Sequence, residues 1–258
     1  MAKKILVNLI KASITFAILG YLYQKGLLDF TRVHKVLTNP SVVFASFAIM
    51  FSTTVASVVR WRMLLAGQKI KITFAEAFKL TMIGVFFNTA IPGAVSGDLV
   101  KGFYVVRQQP DGRGRIKAFT TLLLDRLLGL SALICVSFVA MIFNLGDTLA
   151  SPTLKSLCGL IALLWVGVVL FYAFVLIEWS FTKKLLKFLK KLPAGEYFSR
   201  LFESLKSYES CRHYIVKGLI ISVAIHCSII CVFLILAKSL GGFESVPASK
   251  FFFLAPFG

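Results

Sequence analysis

Long apolar runs alternate with short basic breaks along this chain. Five runs, at about residues 5–23, 41–59, 118–144, 153–178 and 215–238, are long enough to cross the roughly 30 Å hydrocarbon core of a bilayer as helices. A sixth, 80–106 (LTMIGVFFNTAIPGAVSGDLVKGFYVV), is as apolar but is interrupted by Asn88, Pro92, Gly93, Ser96, Gly97 and Asp98. Proline removes a backbone donor and clashes with the preceding turn, while glycine adds backbone freedom. In hydrocarbon the freed N–H and C=O groups must find protein or water partners. Such breaks are tolerated where they line a cavity, and in transporters they often sit at the binding site.

Counting sides decides how this stretch runs. A single crossing by 80–106 would put the linker holding Arg107, Arg113, Arg115 and Lys117 outside, and with it the nine Lys and Arg of 179–217. A re-entrant hairpin, entering and leaving on one face, places segments 60–79, 101–117 and 179–217 together in the cytoplasm, as the positive-inside rule prefers. The sequence therefore predicts an all-α, polytopic helical membrane bundle with a re-entrant broken-helix hairpin, forming a single transmembrane domain over 1–258 with its N-terminus cytoplasmic.

Further signals punctuate the order. The run after Lys3 and Lys4 is too long, and too poor in cleavage-site residues, for a secretory signal. Asn39-Pro40 marks a turn. The run 41–59, rich in Ser, Thr and Ala, suits close helix packing and ends at Arg60-Trp61-Arg62. That triplet reads as an interfacial anchor, with Arg60 and Arg62 as alternative contacts for a lipid phosphate. Residues 68–79 read as a short amphipathic segment on the cytoplasmic face, and FTKKLLKFLKKL (181–192) as a basic amphipathic helix on an anionic leaflet. The chain stops inside an apolar segment, FFFLAPFG (251–258), so it reads as C-terminally incomplete. Its loose echo of FFNTAIPG (86–93) leaves open a second re-entrant segment, with the bundle as half of an inverted repeat.

Composition agrees: 258 residues, 58% hydrophobic, with a mean hydropathy of +0.84. The net charge of +18 lies mostly in the breaks between spans, which explains it without nucleic acid. Five cysteines form no CxxC pair and read as buried thiols. His226 and Cys227 are sequence neighbours on different helix faces and offer no metal site. There is no nucleophile–base pair, P-loop or dinucleotide fingerprint, so no catalytic residue and no cofactor is assigned.

What remains is a charged, membrane-embedded constellation. The half-helix after Pro92-Gly93 would present free N–H groups to an anion, with Ser96 or Asp98 as N-cap. Asp98 and Lys101, three apart, can pair on one face. Arg126 can grip phosphate bidentately, while Asp125, about a hundred degrees round the helix, faces another neighbour. These residues suit a lipid phosphate or phosphodiester. The plainer alternative is that Asp98, Lys101, Asp125 and Arg126 neutralise one another to hold the hairpin in place.

The order N-x-x-x-P-G-x-x-x-G-D-x-x-K (Asn88 to Lys101), a basic linker, then D-R-x-x-G (Asp125 to Gly129) resembles the lysylphosphatidylglycerol synthase transmembrane-region family, or flippase-like domain. Relatives commonly carry Arg at Lys101, Glu at Asp125 and Gly at Ser96. The resemblance adds Gly129 to the site. It implies translocation of anionic or aminoacylated phospholipids, or of polyprenyl-phosphate-linked sugars, across a bacterial inner membrane. Its alternative is the non-catalytic membrane domain of a lipid-modifying transferase. The bilayer and a phospholipid or polyprenyl-phosphate lipid are the expected partners, and an oligomer stays open.

Overall fold

The computed structural model describes residues 2–26, 30–90, 96–146, 152–177, 195–241, 243 and 246–254, and all regular structure among them is helical. The helices are α1 (Ala2–Gln24), α2 (Phe30–Leu37), α3 (Pro40–Gly67), α4 (Phe74–Ala90), α5 (Ser96–Arg107), α6 (Gly112–Phe143), α7 (Pro152–Leu176), α8 (Gly195–Lys206), α9 (Arg212–Leu240) and α10 (Ala248–Leu254). A 3₁₀ turn, Ser207–Cys211, joins α8 to α9. By length and composition, Pro40–Gly67, Gly112–Phe143, Leu154–Leu176 and the run Gly195–Leu240 can each cross a membrane. This is a multi-pass helical membrane protein.

The long helices hide their polar side chains inside themselves. In α3, Ser52 donates to Ile49 O (2.7 Å), and Thr53 and Thr54 donate to Met50 O (2.7 and 3.1 Å). In α6, Thr120 donates to Ile116 O (2.8 Å) and Thr121 to Ala118 O (2.7 Å). A hydroxyl that returns its proton to the preceding turn costs little in hydrocarbon. Asn39 does more than mark a turn: its Oδ1 caps α3 by accepting from Val42 N, with Pro40 in the first turn.

Two boundaries differ from the sequence reading. α3 does not end before Arg60 but continues to Gly67, because nothing between 59 and 67 breaks a helix; Gln68 closes it with its backbone N–H. Arg60 and Trp61 are therefore buried within the bundle, 8% and 0% exposed, and only Arg62 is exposed, its Nε donating to Ile72 O (3.2 Å). The amphipathic segment 68–79 is likewise not one helix. Lys69 turns the chain with φ 62°, 70–73 form no helix, and α4 starts at Phe74 behind a capping box. There Thr73 N donates to one Glu76 carboxylate oxygen (3.0 Å) while Glu76 N donates to Thr73 Oγ1 (3.2 Å). The Thr73 backbone N–H, and then its hydroxyl, hold the Glu76 carboxyl below its ordinary value of 4.5. A carboxyl with its folded value depressed stabilises above the ordinary value and loses that contribution as pH falls through the folded one. Between about pH 5 and pH 3, the thermal midpoint in detergent should thus fall more for the native chain than for Glu76→Gln.

α4 and α5 form an antiparallel hairpin. Ala77 and Leu80 share a core with Val105, while Gly84 and Asn88 meet Gly97. The same core holds Trp61 and Leu65 from the end of α3 and Ala118 from the start of α6. Both open ends of the hairpin therefore lie at one end of the bundle. At about 1.5 Å per residue α5 is about 18 Å long, too short to span. The break itself, 91–95 with Pro92 and Gly93, lies outside the described residues, as does the basic segment 181–192.

α9 packs along both α3 and α6, and α7 packs on α6, where Phe138 and Trp165 stack at 4.4 Å and Tyr172 donates to Ser131 Oγ (3.2 Å). α10 rests on α6 and α9; residues 255–258, the end of the FFFLAPFG echo, are not described. Tyr208, fully buried, donates to Leu64 O (2.6 Å), and Gln68 Nε2 donates to Ser204 O (2.8 Å), clamping the α8–α9 corner to the end of α3. Tyr208→Phe should lower unfolding stability by about 1 kcal/mol, one buried hydrogen bond, measured by thermal denaturation in detergent.

Candidate functional site

A cavity of about 600 Å3 opens between the hairpin, α3, α6 and α9. Of the sequence-predicted residues it is lined by Arg60, Asn88, Asp98, Lys101, Asp125, Arg126 and Gly129. Each helix contributes for a local reason. α3 runs unbroken past residue 59 and so carries Arg60 to the wall. α5 runs antiparallel to α6, so that Asp98 comes level with Arg126 and Gly102 level with Leu122. Adjacent residues on α6 then diverge: Asp125 faces α3, and Arg126 faces α5.

Arg60 is the most elaborately held group. Its Nε donates to Asp125 Oδ1 (2.8 Å) and its Nη1 to Ser222 Oγ (2.7 Å), which in turn donates to Gly218 O (2.7 Å). Gly218 lets α9 approach, since a Cβ there would lie 2.9 Å from Leu128 Cδ1. Arg126 Nε donates to Asp98 Oδ2 in a second ion pair, more exposed than the first.

Lys101 does not pair with Asp98 as its spacing predicts. Arg126 takes that carboxylate, and Lys101 Nζ instead sits 3.9 Å above the Trp61 ring. Lys101 is 4% exposed, and among the described residues no carboxylate lies within 4.0 Å of its ammonium. A cation–π contact recovers only part of what burying an ammonium costs. With Arg60, Lys101 and Arg126 against Asp98 and Asp125, three cations face two carboxylates. The wall carries one net positive charge.

The N-terminus of α5 is capped from across the hairpin: Gly97 N donates to Asn88 Oδ1 (2.7 Å). That crossing is very close. A Cβ on Gly97 would lie 1.9 Å from Gly84 O, and one on Gly84 3.2 Å from Gly97 O. Gly97 thus shapes the wall without facing the cavity. Arg62 lies apart from it, and Pro92 and Gly93 fall outside the described residues.

Four contributors escaped the sequence reading. Trp61 supplies the ring under Lys101, Ser222 the second acceptor of Arg60, and Gly84 the other face of the crossing. Thr81, buried and lining the cavity, has a hydroxyl without a hydrogen-bond partner among the described residues. His226 also lines it, donating from Nε2 to Gly129 O (3.0 Å). Among the described residues no group of three or more His, Cys, Asp or Glu could hold a metal. The mouth is apolar: Val85, Leu123 and Leu130 line the cavity and are exposed. Chemically, the arrangement offers an anion two guanidinium groups, an ammonium and a free hydroxyl behind an apolar entrance.

Over 176 residues the chain is 24% identical to a UPF0104 membrane protein of Pyrococcus horikoshii, covering 67% of this chain and 50% of the relative. Over 125 residues it is 22% identical to a UPF0104 membrane protein of Methanocaldococcus jannaschii, covering 46% of this chain and 37% of the relative. The matches span half or less of the length of these curated relatives. No solved structure matches the chain. The family model for the lysylphosphatidylglycerol synthase transmembrane region matches residues 8–255, almost the whole bundle and every residue of the cavity. This chain belongs to the lysylphosphatidylglycerol synthase transmembrane-region family.

Proposed function

We propose that this chain binds the phosphate of a membrane lipid in the α3–α6–α9 cavity and moves that lipid between leaflets. Lys101 carries the reading: a buried ammonium with no carboxylate partner among the described residues, in the wall of a cavity whose lining includes exposed apolar residues. A phosphate there would gain charge-assisted hydrogen bonds from Lys101 and Arg126 and a further donor in the Thr81 hydroxyl. The apolar rim at Val85, Leu123 and Leu130 would let the hydrocarbon tails stay in the bilayer while only the headgroup enters. Binding residues, on this reading, are Asn88, Asp98, Lys101, Asp125, Arg126 and Gly129, with Arg60 holding Asp125, and Pro92, Gly93 and Gly97 shaping the hairpin. The substrates are anionic, aminoacylated or polyprenyl-phosphate-linked lipids.

The orientation we propose puts the N-terminus and the open ends of the hairpin in the cytoplasm of an inner-membrane protein. Lys69, Lys71 and Lys79 by the start of α4, and Arg113, Arg115 and Lys117 by the start of α6, support it, since cytoplasmic loops collect cations.

A second reading, the membrane half of a lipid-modifying transferase, is favoured by the family description, which names a synthase. Titrating the purified chain with phosphatidylglycerol and phosphatidylcholine in neutral detergent tests the shared step. The phosphate-and-charge account expects phosphatidylglycerol to bind more tightly, and Lys101→Met to weaken it by about 10-fold or more, one charge-assisted hydrogen bond. Equal binding of both lipids by native chain and variant would overturn the cavity as a headgroup site. Binding with no movement between leaflets would favour the transferase reading.

A further inference from the structure

A second, smaller cavity of about 120 Å3 lies apart from the first, at the basic end of the bundle between the first turns of α6 and α8, which packs on it. Arg113 and Lys117 line it from α6 and Arg200 from α8, with Glu203 as its one carboxylate. The lining therefore carries three cations against one anion. Arg200 also reaches Glu196 (3.2 Å), a pair exposed to solvent, while among the described residues Arg113 and Lys117 have no carboxylate within 4.0 Å.

Two further features make this more than a solvated basic surface. Ser204 lines the cavity and is 5% exposed, yet its hydroxyl has no hydrogen-bond partner among the described residues. A buried hydroxyl left unpaired costs free energy that a ligand would recover. The wall is also held in place without a ligand. Gln68 Nε2 donates to Ser204 O (2.8 Å) and to Ser207 Oγ (3.0 Å), and Ser207 Oγ donates to Ser204 O (2.7 Å), so the end of α3 fixes the turn that presents Ser204. The start of α6 adds the positive end of a helix dipole. About 120 Å3 has room for roughly four waters at about 30 Å3 each, or for one tetrahedral oxyanion, but not for a whole lipid.

We infer that this cavity is a second anion site that takes a phosphate group, gripped by Arg113, Lys117 and Arg200 and hydrogen-bonded by Ser204. It is distinct from the central cavity and needs no lipid movement. Tyr197 and Phe198, exposed on α8, give that helix an apolar surface beside the site, which fits the phosphate of an anionic phospholipid at the bilayer surface. A free phosphate has the same chemistry.

The test titrates the full chain in neutral detergent with short-chain phosphatidate, short-chain phosphatidylcholine and inorganic phosphate, reading the thermal midpoint. All proteins carry Arg126→Gln, so that the central cavity is weakened equally. Phosphatidate should raise the midpoint, and Arg113→Gln/Lys117→Gln should weaken its apparent Kd by about tenfold, as for two partly exposed charges. Glu203→Gln should tighten it severalfold, because the carboxylate repels the ligand. Ser204→Ala removes no hydrogen bond within the protein and relieves an unpaired buried hydroxyl, so it should weaken binding without lowering the ligand-free midpoint. A matching response to inorganic phosphate assigns the site to phosphate itself; a response to phosphatidate alone assigns it to the lipid headgroup. Binding unchanged by the double substitution would overturn the proposal. So would weaker binding in Glu203→Gln, which would mark an ion-pair network between α6 and α8.

Discussion

Replacing Asp125 by alanine should destabilise the protein by about 3–5 kcal/mol, the usual result of removing one partner from a buried ion pair. The reason is Arg60. Its side chain and that of Asp125 are 10% and 9% exposed, deep in the seam where α3, α6 and α9 meet. Without the carboxylate the half-stranded guanidinium keeps only Ser222 as a side-chain partner among the described residues, at 10% side-chain exposure. Arg60→Ala should cost a similar amount through the stranded Asp125. The double replacement Arg60→Met/Asp125→Leu, which removes both charges and refills the volume, should recover most of the loss. Thermal unfolding in detergent of the native chain, the two alanine variants and Arg60→Ala/Asp125→Ala forms the double-mutant cycle, with Arg60→Met/Asp125→Leu measured beside it. Additive single losses would mean that the two residues act through separate partners.

Gly97→Ala is the second large effect, and its cause is steric. The added methyl would lie 1.9 Å from Gly84 O and 2.8 Å from Asn88 Cγ. The first neighbour is backbone, so no rotamer change relieves it. α4 and α5 must separate, and the Gly97 N–H leaves Asn88 Oδ1. Overpacking typically costs 1–3 kcal/mol and here should reach about 3 kcal/mol or more, because a backbone hydrogen bond inside the membrane goes with it. Gly84→Ala meets its nearest atom at 3.2 Å and should be clearly milder. Equal losses for the two would contradict the crossing.

Much of this was legible along the chain. The Asn88-to-Lys101 stretch announces itself because polar and helix-breaking residues are expensive in an apolar run, and the distribution of Lys and Arg favours both ends of the hairpin on one face. The structure gathers those ends around Trp61, Leu65 and Ala118. Adjacent residues on a helix diverge, so the separate fates of Asp125 and Arg126 followed from their spacing.

Partner choice was not legible. Asp98 and Lys101 satisfy the local rule for a helical pair, but Arg126, 28 residues on, reaches the carboxylate instead. Local spacing says which groups can meet, while the register between α5 and α6 decides which do. Arg60-Trp61-Arg62 has the composition of a membrane anchor, and although nothing after it breaks the helix before Gly67, the triplet itself holds no mark that the first two residues turn inward. Ser222 and Thr81 look like any hydroxyl in an apolar helix. Their roles come from elements far away in sequence, Ser222 lying 162 residues from Arg60.

The most direct test of the account is leaflet exchange. Proteoliposomes holding the full chain and labelled phosphatidylglycerol are assayed for movement, beside Arg126→Gln and the charge-balanced Arg126→Gln/Asp98→Asn. The Arg126 side chain is 49% exposed, so both variants should fold and unfold near the native midpoint. The account predicts that the native chain moves the label and that both variants are slower by about 10- to 100-fold, the loss of one charge-assisted hydrogen-bond donor. Movement by folded variants at the native rate would contradict it.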